Sequence, residues 1–391
     1  VDVAELGCAQ EYQAVIHWRG GGRPFTSPAV AALTTVSWAR TVSDVSEASI
    51  TIAKEGAEDC CAQLGQIEPW VHELSIYRDS DLVWQGPIVR VTEARATVVI
   101  DARDVLAWLD RLVNTVQLRY ITAEPDAEGR HAGPVQWIAH DLLKKNIGTS
   151  PLSQPPDWCG VLNYIVRRDT ARDTKFEKDG SDNKSVWNAY LSTIFDDELV
   201  PRGLEYTTVG RSILLRAPAT EADRPQTRLF LEDVAGDVQV IRDGSAAATY
   251  GWATTQQEQN ISPGLTVGTG QVGTPYGRLD WLVSSTAENA DEDDLREVAQ
   301  QAIGGRYPAP TSITVPTGAQ LAASAPVSIE QLVAGERIDV VTNGFCMGIS
   351  QAFRLSDVEV TWAGGSGTGG GEQVAISLVP LFSVSDDPGG A

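Results

Sequence analysis

Residues 71–78, VHELSIYR, and residues 82–91, LVWQGPIVRV, joined by Asp79-Ser80-Asp81, decide the fold. Leu74 and Ile76 alternate with polar neighbours at a period of two, the pattern of a strand buried on one face. The Asp79-Ser80-Asp81 link has the length that closes a hairpin, although it lacks the usual glycine. Pro87 sits inside the returning strand, where its missing N–H is tolerated only at an edge or a bulge, so pairing is predicted to break there. Working outward, Val36 and Trp38 alternate in the same way, as do Ala48, Ile50 and Ile52. The first hundred residues read as a β-meander.

At Asp101 the period changes. Val105, Trp108, Leu109 and Leu112 recur at helical spacing, with Asp101 as N-cap and Asp104 three residues on, which predicts a helix. A second helix is marked by Pro134 at its first turn, by Val135, Ile138 and Leu142 on one stripe, and by a cationic end at Lys144-Lys145-Asn146. A third follows Ser185 with Trp187, Tyr190, Leu191 and Ile194 in phase. The polar stretches TAEPDAEGRHAG (122–133) and TARDTKFEKDGSDNKS (170–185) read as exposed loops.

Strands return at Gly203. GLEYTTVGRSILLR (203–216) reads as a hairpin, and GDVQVIRDGSAAATYGWATT (236–255) as another that turns at Asp243-Gly244. One helix is expected at 291–303, with Leu295, Val298, Ala299 and Ala302 on one face and Gly304-Gly305 as its stop. Val358, Val360 and Trp362, then Val374, Ile376 and Leu378, mark two strands flanking the flexible tip AGGSGTGGG (363–371). The expectation is an α+β, mainly β chain: a first β-barrel-like domain over 1–101, a helix-containing insertion over 102–202, and a second β-rich domain over 203–391. No solenoid repeat is present.

A length of 391 residues allows two to three cores of roughly 100–200 residues each. Hydrophobic residues at 42% and charged residues at 21% give the balance of a globular protein. No apolar run has membrane-spanning length, and VDVAELGCAQ lacks the basic start of a signal peptide, so synthesis and folding in a cytoplasm, with no membrane anchor, are expected. The opening Val1 with Met347 as sole methionine fits removal of an initiator. Five scattered cysteines, with no C-x-x-C pair, are expected to be reduced and buried. A net charge of −22, from 52 acids against 30 bases, disfavours attraction to phosphate backbones or anionic membranes. Specific nucleic-acid binding is not expected. A carboxylate-lined channel would nonetheless let DNA slide without sticking.

The motifs point away from chemistry. Gly268, Gly270 and Gly273 spell G-x-G-x-x-G, but a dinucleotide loop needs a helix after it, and Leu279, Trp281 and Val283 predict a strand, so a flexible loop is expected there. His17, His72, His131 and His140 lie far apart in sequence without zinc spacing. The acidic run at 288–294 lacks the ligand order of a calcium hand and reads as a charged helix start. DGSDNKS (179–185) reads as an ordinary turn ahead of a cation loop. Cys159 has no histidine that sequence can place beside it, and no G-x-S-x-G elbow occurs. Paired carboxylates of the glycosidase kind are a matter of geometry that 52 acids leave open. No catalytic, cofactor-binding or metal-binding residue is assigned. Eleven tryptophans, among them Trp18, Trp38, Trp70, Trp84 and Trp108, are expected mostly in cores, the rest at subunit contacts or stacked on sugars.

An ordered set of segments carries a resemblance: AVIHWRGGGRPF (14–25), VSWARTVSDVSEASITI (36–52), LGQIEPWVHELSIYRDSDLVWQGPIVRV (64–91) and DARDVLAWLDRLV (101–113). LEYTTVGRSILLR (204–216), DVQVIRDG (237–244) and YGRLDWLVSS (276–285) continue it in order. The chain resembles the minor tail proteins, of the baseplate-hub or tail-tip hub type, of long-tailed phages infecting actinobacteria. The resemblance implies two β-barrel-like domains with a helical insertion, assembled as a homotrimer whose six similar barrels meet a six-fold tail tube. It implies as partners the distal tail protein or tail tube ring, the tape measure protein, and the central tail fibre or other minor tail proteins. It implies a place in the virion at the tail tip, a ring through which DNA passes, and no enzyme activity. Many hub relatives carry a C-terminal extension with peptidase or lysin activity, whereas this chain ends shortly after SLVPLFSVSDDPGGA. Two other readings stand beside this one: a carbohydrate-binding host-recognition protein at the tail tip, and a cell-wall hydrolase.

Overall fold

The computed structural model describes residues 5–7, 9, 11–20, 24–25, 32–54, 64–114, 118–121, 131–147, 164–173, 184–186, 189–220, 222–242, 244–245, 247–255, 266–270, 273, 275–285, 292–303, 306, 311–342, 350–364 and 371–381. Six strands build the first part: β1 (Tyr12–Trp18), β2 (Leu33–Thr41), β3 (Glu47–Ala53), β4 (His72–Arg78), β5 (Asp81–Glu93) and β6 (Thr97–Arg103). The predicted alternation holds, with Val36, Trp38, Ala48, Ile50, Ile52, Leu74 and Ile76 all buried.

The hairpin between β4 and β5 is tighter than the sequence implied. Asp81 already pairs with Arg78, so the turn is Asp79-Ser80 alone. Both residues take positive φ, 46° and 84°, the backbone of a two-residue turn whose twist matches the strands. Aspartate tolerates this region better than most side chains, which is how the turn forms without glycine. Pro87 marks a handover: up to that residue β5 pairs with β4, and from Ile88 onward it pairs with β6 through a register shift between Ile88 and Arg90.

The meander does not stand alone. β2 pairs antiparallel with the long strand Ser350–Ala363, placing Val36 opposite Trp362 and Trp38 opposite Val360. The other side of that strand carries Gly371–Pro380, with Val358 opposite Ile376 and Val360 opposite Val374. Arg337–Val341 lies end to end with β2 along the same edge, and a bulge between Leu355 and Asp357 separates the two partners. Strands from both ends of the chain therefore form one twelve-stranded sheet around one apolar core. The fold is mainly β, with large antiparallel sheets. Among the described residues the strand path is open, from β1 to Val234–Ala235, and no closed barrel forms. In place of the expected barrel-like closure, the sheet bends far enough for Arg78 on β4 to reach Glu372 on the strand Gly371–Pro380 without the strands pairing.

A second core collects Val105, Leu109, Ile138, Leu142, Phe195 and Leu215, among others. The helix expected from Asp101 begins later. β6 runs on to Arg103, Asp104 is the cap, accepting from the Leu106 N–H, and the element is a 3-10 helix over Val105–Asp110. Val135–Asn146 is an α-helix entered through Pro134 and ending on Lys144 and Lys145, as the sequence reads. The third helix starts at Leu191, not Ser185, widens through a π turn over Phe195–Leu199 and tightens into a 3-10 turn reaching Arg202, where Gly203 at φ 88° ends it. Glu205–Val209 and Ser212–Arg216 form the expected hairpin.

The hairpin expected at Asp243-Gly244 does not form. Gln239–Arg242 pairs with Thr311–Thr314, while Tyr250–Thr255 lies between Thr266–Gly270 and Asp280–Ser285. A strand with neighbours on both edges satisfies more of its backbone than a hairpin partner would allow. Helix Glu292–Ile303 covers one face of this three-stranded sheet through Leu295 and Ala299. Gly251 is required there, since a Cβ on it would stand 2.3 Å from the Ala299 carbonyl oxygen.

Candidate functional site

The two main cores meet along a seam of polar groups. Glu73, fully buried on β4, accepts from the Tyr164 hydroxyl at 2.5 Å, Gln85 Nε2 at 2.8 Å and the Gly20 N–H at 3.0 Å, with Arg211 Nη1 at 3.4 Å. Trp108 Nε1 donates in turn to the Tyr164 hydroxyl at 2.8 Å. Burial, then the Glu73 charge beside it, raises the Tyr164 pKa well above that of a free phenol. Asp104 is also buried, and accepts from the Ser46 N–H, the Ser46 hydroxyl and Thr208 Oγ1. Burial pushes its pKa up to about 6 despite those bonds. Further along, Arg354 donates to Glu205, Arg216 to Glu336 and to the Ala334 carbonyl, and Arg172 to Glu336 at 3.2 Å. Burial raises the Glu205 pKa against the pull of these arginines.

The outer face of the large sheet carries a polar trough. A cleft of about 650 Å³ and a smaller one of about 250 Å³ share Ser37 and Ser49 in their linings. A cross-strand row runs through the floor: Ser49 Oγ donates to Asp101 at 2.9 Å, and Arg90 Nε donates to the same carboxylate at 2.7 Å. Trp70 forms one wall, with the Arg111 guanidinium 4.7 Å from its ring centroid. A separate face lies on the three-stranded sheet, where the tilted Tyr250 and Trp252 rings, 5.2 Å apart, lie beneath Arg278, beside Leu282, which is 67% exposed.

The motif residues resolve as follows. Gly268 and Gly270 are not in a flexible loop: they lie on a strand paired with Tyr250–Thr255, and the next element is the strand Asp280–Ser285, not a phosphate-binding helix. Gly268 is needed because the Tyr250 and Trp252 rings lie within 2.8 Å of where its Cβ would be. The acidic run opens the helix at Glu292, and residues 288–291 lie outside the described residues. So do residues 179–183 and all five cysteines, Cys159 included. His17 and His72, distant in sequence, sit on neighbouring strands but on opposite faces, because His17 pairs with Glu73 and Trp18 with His72. His72 packs against Trp18 and Phe25. Among the described residues no group of three His, Cys, Asp or Glu side chains converges as a metal site. Trp38, Trp84 and Trp108 are core residues.

The seam was missed by sequence reasoning. A signal was present in β4, where Glu73 and Ser75 take the parity opposite to Leu74 and Ile76, and both parities prove to be buried.

No family model and no curated protein matches the chain. Solved structures do. A tail protein from Neisseria meningitidis MC58 superposes over 94% of this chain and 96% of its own, at 12% identity and a TM-score of 0.50. The 43 kDa tail protein of prophage MuSo2 from Shewanella oneidensis superposes over 94% and 98%, at 10% identity and a TM-score of 0.53. The chain has a phage tail protein fold. At such identities the likeness is one of fold, and it spans nearly the whole of each tail protein, so the large sheet and the second core belong to one shared architecture. No helix among the described residues is long and apolar enough to cross a membrane.

Proposed function

We propose that the chain is a structural, non-enzymatic protein of a phage virion, a subunit of the hub at the tail tip. One observation carries the reading: two tail proteins, one of them from a prophage, share its fold over 94% of this chain. The resemblance of the quoted segments to actinobacterial hub proteins narrows it to the tip of a long, non-contractile tail. In this reading three copies close into a ring through heterologous contacts, each subunit carrying two different patches. The ring meets the distal tail protein or tail tube on one side and the tape measure protein and central fibre on the other. The expected insertion over 102–202 draws support from the second core, although that core's buried side chains extend past it to Leu204, Tyr206, Ile213 and Leu215. The acidic excess, −22 in all, lines the bore and eases DNA through during ejection, since like charge keeps the polymer from sticking.

The test is imaging of virions labelled with an antibody to this chain, combined with a subunit count. Label at the tail tip with three copies is expected; label on the shaft or capsid would overturn the reading. Reversing bore carboxylates to lysine is expected to slow DNA ejection.

A second reading, carbohydrate recognition, draws support from the trough, whose exposed Arg90–Asp101 pair and Trp70 wall offer hydrogen-bonding and stacking groups to a sugar. Binding of the isolated chain to a host-wall glycan array, lost in Trp70→Ala, would establish it.

A further inference from the structure

The chain crosses between its two cores at two places, entering the second at Asp104 and leaving it at Arg216-Ala217. Both crossings lie on the polar seam. Asp104 caps the first element of the second core while accepting from Ser46 of the sheet, and Arg216 reaches the Ala334 carbonyl and Glu336. Between them hydrogen bonds cross the seam, from Tyr164 to Glu73, Thr208 to Asp104, Thr207 Oγ1 to the Thr41 carbonyl at 2.8 Å and the Ser43 N–H to the Tyr206 carbonyl at 2.7 Å, together with the ion pairs Arg211–Glu73, Arg354–Glu205 and Arg172–Glu336. Apolar contact across the seam includes Val45 and Trp70, partly buried side chains of the sheet unit that pack against the second core, Trp70 edge-on to Trp108 with ring centroids 5.0 Å apart.

We infer that the second core, built on described residues from Val105 to Leu215, moves as one body, swinging off the sheet about a two-point hinge at Asp104 and Ala217, with the seam as the latch. The physical ground is the nature of what opening exposes. Separating two apolar faces exposes area that water penalises in proportion, whereas separating buried charges returns them to water and recovers solvation lost on burial. Each core keeps its own apolar cluster when the seam parts. A polar contact between two separately cored units is therefore the lowest-cost place for a sub-global opening. The inference does not depend on the hub reading, since it concerns the isolated chain.

Native-state hydrogen exchange on the full chain tests it. In the unmodified protein, the Ser43 amide is expected to exchange through an opening that exposes little surface, with a weaker urea dependence than the Ile50 amide at the centre of the sheet. Equal urea dependence at both positions would overturn the inference. Tyr164→Phe and Thr208→Val each remove one bond to a buried carboxylate, and each is expected to speed Ser43 exchange about ten-fold or more. The amides of β3 and of helix Val135–Asn146 should keep their rates. Acceleration shared by all three regions, or by none, would mean the two cores open only together, and the latch would be rejected.

Discussion

Arg78 donates Nε and Nη2 to the two carboxylate oxygens of Glu372, each at 2.7 Å, across 294 positions of sequence. The two residues lie on strands that are far apart along the sheet path, β4 and Gly371–Pro380, so the pair ties the curled sheet back onto itself. Tyr12 adds a hydroxyl to the same carboxylate at 2.5 Å, and the Ala9 N–H a further bond at 3.0 Å. Burial alone would raise the Glu372 pKa, but these donors, Arg78 foremost, hold it below the ordinary glutamate value.

Glu372→Gln is expected to destabilise the protein by about 3 kcal/mol, because it leaves the Arg78 guanidinium buried beside a neutral amide. The guanidinium keeps its charge without a fork to receive it. Urea unfolding checks this: the midpoint should fall with the slope unchanged.

Stability should be greatest on the mildly acid side of neutrality. Asp104 titrates at about 6 in the folded protein, above its unfolded value, so its contribution is complete at low pH and is lost as pH rises through about 6. Glu372 has the opposite sign: its folded pKa is depressed, so its contribution is present above the unfolded value and is lost as pH falls through the lower folded one. Asp104 alone accounts for a loss of about 3 kcal/mol over the whole range from below its unfolded pKa to pH 8, of which about 1.5 kcal/mol falls between pH 5 and 8. Urea midpoints from pH 5 to 8 should therefore decline in the wild type, and Asp104→Asn should flatten that decline.

Much of the local structure was legible, and its partners were not. Val36 and Trp38 announce a strand because a two-residue period places both on one face, but no period tells that Trp362 will lie beside Val36. Pairing over more than three hundred positions is set by closing the core, which no local window contains. The same holds for 236–255: Asp243-Gly244 is a sound turn signal, overridden because Tyr250–Thr255 finds strands on both edges. Asp101 looked like a helix cap, yet β3 holds it in the sheet opposite Ser49, and the cap falls to Asp104. Glu73, Asp104 and Arg40 are buried, yet charge in a sequence signals exposure unless a partner is known, so nothing local marks them. The seam is built from such residues, and it stayed invisible for that reason.

Arg40 illustrates the point and is testable. It is 2% exposed, lies over the Trp38 ring, and donates to the carbonyls of Ile329, Leu332 and Val83. Burial lowers its pKa to about 10, leaving it charged at neutral pH. Arg40→Met would leave three main-chain carbonyls without their donor, and a loss of about 3 kcal/mol or more is expected. Arg40→Lys should recover only part of this, because an ammonium lacks the planar fork that serves both sides. Thermal unfolding of the two variants, compared at one pH, decides between a packing role and a bonding role: equal losses for Met and Lys would favour packing.

Gly86 is the position where a single methyl group should do most harm. β5 turns from β4 to β6 beside it, and a Cβ there would stand 1.8 Å from the Arg103 carbonyl oxygen and 2.6 Å from the Asp104 Cα. Both are main-chain atoms, so no rotamer change relieves the clash. The strand itself must move, and Asp104 with it, which would disturb the bonds from Ser46 and Thr208. Gly86→Ala is expected to cost about 3 kcal/mol, even though alanine would ordinarily stabilise a chain by stiffening its unfolded state. Its damage should reach the second core through Asp104, so circular dichroism in the near-ultraviolet should report loss of tryptophan packing at Trp108 as well as at Trp84. A variant with wild-type stability would mean that β5 and β6 do not approach as closely as the handover at Pro87 requires.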